Sequence, residues 1–273
     1  MAAPSLPESE DQREALERPF RKTLADVYEF LALGVGTNIA ALLMLFLAAS
    51  AGFPFTAGPD WAPFAASLAA LTLLAPAVAW GLGSLSLAMA RRDEPSFWML
   101  FRGFGRAYPR AVAYFVIGLS GAALVSFMVW FWSRAPIAGS SVELGIAALW
   151  LGAGVLGAAA HLLGWPVLVL SEGKPLYTLR LVLALLGVSP RVSAGFLAHL
   201  LLFASIMLLP LVSQWQGLAA GFCVMFTVFV SLFWTGLLTA NVALRLIQLL
   251  AERKEALEAD ENTCPSEEEC VDG

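Results

Sequence analysis

Five stretches of this chain contain no Asp, Glu, Lys or Arg: Phe30–Pro59, Trp61–Ala90, Ala111–Ser133, Leu144–Ser171 and Val192–Leu244. A helix that crosses a bilayer needs about 20 consecutive apolar residues. The first four runs supply one span each. The last is 53 residues long, enough for two, and the polar group Ser213, Gln214, Trp215, Gln216, Gly217 divides it. Spanning β-strands would alternate apolar and polar residues over about ten positions. These runs are continuously apolar. The expected fold is an all-α polytopic membrane protein, a six-helix transmembrane bundle. Its parts are a cytoplasmic N-terminal segment over 1–27, a transmembrane domain over 28–250 and an acidic, disordered cytoplasmic tail over 251–273.

Composition agrees. Hydrophobic residues make up 59% of the chain and charged residues 14%, against about 25% charged in an average soluble domain. A soluble globular domain, a disordered chain and a nucleic-acid binder are excluded. The net charge of −5 is local, because residues from Glu252 onward hold nine acids and two bases. The rest carries 14 bases and 12 acids. Cys264 and Cys270 lie in that tail with no histidine near them, and Cys223 lies in an apolar run. Such a set predicts no zinc site and no cofactor. Residues 1–27 are polar and acidic, so no cleavable leader is expected.

Basic residues in the connections set the orientation. With both ends cytoplasmic, 15 lie inside and one, Arg134, lies outside. Trp61, Trp130, Trp132 and Trp215 then fall at outer edges and Trp98 at an inner edge. Indoles favour that interfacial layer.

Two inner connections read as interfacial amphipathic helices. In the first, Phe97, Phe101, Phe104 and Tyr108 recur at steps of four, three and four. That is one helical stripe. Arg91, Arg92, Arg102, Arg106 and Arg110 are candidate contacts to lipid headgroups. The stripe faces either the lipid or the protein's own helices. Gly103 and Gly105 weaken it as an autonomous helix. The second, Leu176–Val188, is helical in pattern and too short to span. The segments following them match at four of seven positions, Pro109–Phe115 against Pro190–Phe196. A repeat and a chance likeness both remain open.

No charged side chain falls at a predicted midplane. Walker, H-E-x-x-H and G-x-S-x-G motifs are missing from the sequence, so an enzyme is not expected. Three polar residues reach similar depths from the inner edge at 1.5 Å per residue: Asn38 at about 13 Å, His161 at about 15 Å and His199 at about 12 Å. They are a candidate polar cluster, read as a ligand or proton site or as interhelical hydrogen bonding. The second reading is favoured. Thr227, Ser231 and Thr235 form a hydroxyl stripe at steps of four. Gly145, Gly152, Gly154 and Gly157 suggest that the fourth span is the most crowded. Pro76, Pro166 and Pro210 are candidate kinks.

Asn38–Leu43, then Phe53–Pro59, then Phe97–Phe104 resemble the YesL-like family of bacterial integral membrane proteins. That family shows an Asn in the first span, a Pro-x-x-Thr turn after it and a Phe-rich segment after the second. The likeness runs from Asn38 to about Phe115. The chain departs from the pattern by extra residues between Thr56 and Pro76 and by its acidic tail. The resemblance implies a bacterial inner-membrane protein, accessory to carbohydrate uptake and placed beside a transporter. It supplies no catalytic residues. The expected function is therefore an accessory or scaffold membrane protein with the lipid bilayer and a membrane-protein partner around it. The alternative is a small autonomous permease with its site among Asn38, His161 and His199. Neither reading involves nucleic acid, and the residues set no oligomeric state.

Overall fold

The computed structural model describes residues 18–51, 59, 61–134, 140–171, 173–212 and 232–263. Every regular element among them is helical. In chain order they are α1 (Pro19–Glu29), α2 (Leu31–Ala49), α3 (Ala62–Arg91), a 3-10 helix (Phe97–Phe104), α4 (Tyr108–Trp132), α5 (Ser140–Ser171), α6 (Pro175–Val188), α7 (Pro190–Val212) and α8 (Leu232–Thr263). Five helices, α2, α3, α4, α5 and α8, are long and apolar enough to cross a membrane. The pair α6 and α7 is bent by 109° and brings the number to six if it counts as one span. The first four charge-free runs coincide with α2 to α5. The dividing residues 213–217 lie outside the described residues, as do Cys223, Thr227, Ser231, Cys264 and Cys270.

Proline marks the start of many of these helices. Pro19, Pro63, Pro109, Pro175 and Pro190 all sit in a first turn, where no intrahelical N–H is needed. The Pro-Arg pairs at 109–110 and 190–191 are both such starts, which gives their likeness a local cause. Helix α3 stops without a glycine. Arg92 adopts a left-handed φ of 61°, and the Asp93 N–H bonds back to the Ala88 carbonyl at 2.8 Å. This is the six-to-one bond of a Schellman stop.

The hub of the fold is α3. It packs against α2, the 3-10 helix, α4, α5 and α8. The expectation that the fourth span, now α5, is the most crowded does not hold. Gly145, Gly152 and Gly157 have no atom within 4 Å of where a Cβ would stand. Small residues permit close approach but do not by themselves attract a neighbour. Gly154 does meet Val125 of α4, and the closest backbone approach joins α3 to the 3-10 helix. A Cβ on Gly81 would overlap the Leu100 carbonyl, and one on Gly103 would overlap that of Ala77.

Those contacts change the reading of the first connection. Its residues 97–104 form a 3-10 helix, not an α-helix. Three residues per turn put i and i+3 on one line. Leu100 and Gly103 are buried on α3, while Trp98, Phe101 and Phe104 are exposed. The backbone packs on the protein and the rings face away from it. Tyr108 continues along α3, its hydroxyl donating to the Leu73 carbonyl at 2.7 Å. That carbonyl lies just before the internal Pro76, where a helix commonly needs outside donors.

The second connection, α6, is an α-helix as its pattern suggests. It buries Thr178, Val182 and Leu185. The last two join Leu163, Val167, Phe196, Leu238, Val242 and Leu246 in the largest core cluster. The acidic segment after 251, read as disordered, is helical to Thr263. Lys254 pairs with Glu258 at 3.3 Å and Gln248 donates to Glu252 at 2.8 Å. Such one-turn pairs support an exposed helix.

Candidate functional site

A buried polar cluster lies where α1 meets α8 and the end of α3. Lys22 and Asp26 stand one turn apart on α1, and their side chains are 7% and 1% exposed. Lys22 Nζ donates to Asp26 Oδ2 at 2.7 Å and to the Ala90 carbonyl of α3 at 2.8 Å. Asn241 of α8, fully buried, donates from Nδ2 to Asp26 Oδ2 at 3.0 Å and to Thr23 Oγ1 at 3.1 Å. Thr23 Oγ1 in turn donates to the Pro19 carbonyl at 2.8 Å. Four side chains thus join three elements far apart in sequence. Asp26 Oδ1 and Asn241 Oδ1 have no hydrogen-bond partner.

A buried ion pair holds only when extra hydrogen bonds offset its lost hydration. Here the Ala90 carbonyl and the Asn241 amide supply them. The arrangement is a clamp that holds α1 on the bundle. The sequence reading passed over it, because residues 1–27 looked like a solvated segment. The available signals were the Lys–Asp spacing of four and an asparagine inside an otherwise apolar run.

The three residues expected to share one site have separate surroundings. His161 lies on α5 and stacks on Tyr114 of α4, ring centroids 4.6 Å apart and planes 9° apart. Trp165 meets both rings edge-on, at 5.1 Å and 5.7 Å. The Tyr114 hydroxyl donates to the His161 carbonyl at 3.1 Å. Two glycines make this possible: a Cβ on Gly118 would overlap the His161 ring, and one on Gly164 the Tyr114 hydroxyl.

His199 lies on α7. It stacks on Phe20 of α1 at 4.5 Å, and its Nδ1 is 2.9 Å from the Gly195 carbonyl. Asn38 lies on α2, fully buried, and neither atom of its amide has a hydrogen-bond partner. Among the described residues, no hydrogen bond or ring contact joins any two of the three. Depth alone could not show this, because equal depth says nothing about which way each helix face is turned.

Compared with family models, curated proteins and solved structures, the chain matches none of them. Its chemistry has to be read from its own atoms.

The expected headgroup arginines divide into two kinds. Arg92 is exposed and lies 3.4 Å from Glu29, a surface pair of little energetic weight. Arg91 is partly buried at the end of α3. Arg102, Arg106 and Arg110 are exposed, and no ion pair involves them among the described residues. They flank a ring group in which the half-buried Phe97 and the exposed Trp98 and Phe101 lie 5.8 to 6.1 Å apart. Rings and guanidinium groups so placed suit a lipid interface or a protein surface.

Proposed function

We propose that this chain is an accessory or scaffold component of a membrane assembly. It crosses a bacterial inner membrane six times, with both ends in the cytoplasm. The resemblance to YesL-like proteins connects the assembly to carbohydrate uptake. One observation carries the reading. Among the described residues, the fully buried charged side chains are spent on one another in the clamp, while Trp98, Phe101, Phe104, Arg102, Arg106 and Arg110 face outward. A protein built this way offers a surface rather than a path. The distribution of basic residues, 15 against one, supports the orientation.

Gentle purification from native membranes with mass spectrometry tests it. The expected result is a stoichiometric membrane-protein partner that is lost in Trp98→Ala/Phe101→Ala. Recovery of a single species from several gentle extractions overturns the reading.

A small permease is the second reading. The observation favouring it is the Asn38 amide, buried inside the bundle with both polar atoms unpartnered. An unsatisfied buried amide costs about 1–3 kcal/mol, and a solute hydroxyl could relieve that. This reading expects thermal stabilisation by one solute class, lost in Asn38→Ala. A broad solute screen with no shift removes it.

A further inference from the structure

A groove of about 490 Å³ lies between α4 and α6, lined by Ala113, Ile117, Lys174, Pro175, Leu176, Tyr177 and Arg180. Its walls are mainly apolar, and among the described residues its charged lining groups are the two cations. Among the described residues neither Lys174 nor Arg180 has an acidic partner. They stand six residues apart, about 9 Å along the helix axis.

Lys174 stands at the N-cap position of α6, and its side chain makes no capping bond there. The Thr178 N–H bonds to its carbonyl at 3.0 Å, and Pro175 has no N–H. The Leu176 and Tyr177 N–H groups belong to the first turn, which makes no intrahelical bonds. Two cations and the positive end of a helix therefore line one apolar groove.

Position narrows the occupant further. Helix α6 turns 109° from α7, so the two do not run on as one straight helix. Helix α6 packs on α5, α8 and α7, and its first residue, Pro175, follows the end of α5 at Ser171 by only four residues. On α4, Ala113 and Ile117 stand one turn apart, and the small Ala113 leaves the groove open.

We propose that this groove binds one anionic phospholipid. Its phosphate lies between Lys174 and Arg180, and an acyl chain lies along Ala113 and Ile117. The ligand chemistry is a phosphodiester anion joined to a long apolar chain. The site is separate from the ring and arginine surface of residues 97–110.

The test uses the full-length protein in detergent, titrated with phosphatidylglycerol, phosphatidylcholine or inorganic phosphate. Native mass spectrometry and thermal unfolding report binding. Phosphatidylglycerol should bind and raise Tm, and the other two should not. Each basic residue near a membrane surface contributes about fivefold in affinity. Lys174→Gln/Arg180→Gln should therefore weaken phosphatidylglycerol by about thirty-fold. Both side chains are exposed, so the variant should keep its lipid-free Tm. Lys174→Arg should retain binding. Ala113→Leu fills the groove without touching either charge and should also lose the lipid. Equal binding of phosphatidylcholine, equal stabilisation by inorganic phosphate, or full binding by the Lys174/Arg180 double variant each overturns the proposal.

Discussion

The two inner connections begin from similar sequence plans and end as different structures. Each is an apolar segment near arginines, preceded by a helix with an internal proline and followed by Pro-Arg. Residues 97–104 form a 3-10 helix held by backbone contact, with Gly81 and Gly103 letting two segments touch. Residues 175–188 form an α-helix held by side chains, with Val182 and Leu185 in the main core. Glycine content separates them. Gly103 lies within the first connection and Gly105 just after it. The second has only Gly187, near its end, with nothing within 4 Å of a Cβ. A run of similar apolarity thus becomes a strap when glycines permit backbone approach and a packed helix when they do not.

The comparison can be broken at its anchor. Lys22 holds the Ala90 carbonyl, and so the end of α3 from which the first connection leaves. Removing one member of a buried ion pair costs about 3–5 kcal/mol. Asp26→Ala should lower stability to chemical denaturation by that amount and expose residues 92–108 to protease before 173–189. Replacing both members, Lys22→Met/Asp26→Leu, should recover much of the loss. Earlier cleavage in α6 would mean that the clamp does not anchor the first connection.

Backbone contact itself comes next. Gly103→Ala should cost about 3 kcal/mol, the upper part of the overpacking range, because the opposing atom is a carbonyl that cannot rotate away. Thermal unfolding measures it, and an unchanged Tm would mean that the strap is not seated as described. Leu185→Ala tests the other connection. It should cost about 2 kcal/mol, the low end for a buried leucine, since lipid is as apolar as the core it leaves. A loss as small as that of an exposed leucine would show α6 is not held by its core face. The smallest effect is expected at Gly187→Ala, which should stabilise by about 0.4–1 kcal/mol through the unfolded chain. Destabilisation there would reveal a neighbour close to Gly187.

Much of the fold was legible from residue order. Runs without charge located α2 to α5, and the pattern at 176–188 located α6. The candidate site was far less legible. Asn38, His161 and His199 were picked out as rare polar residues at one depth, yet each meets different neighbours. Asn241 is just as rare a residue and forms part of the clamp. The aromatic stripe at steps of four, three and four suggested an α-helix. The chain follows the three-residue period instead, because docking Gly103 on Ala77 outweighs the local pattern.

The sequence by itself determined that this is an all-helical protein with several helices able to cross a membrane, and where most of those helices begin. The reason is that lipid offers backbone groups no hydrogen bonds, so long apolar runs must satisfy them internally. Only the tertiary structure decided that α3 is the hub, that Lys22 and Asp26 are buried with Asn241, and that the two histidines lie on different rings. In lipid an apolar face gains little by turning inward. Hydrophobic pattern therefore does not say which face meets which. Glycine fit, hydrogen bonds and ring packing between distant segments decide it.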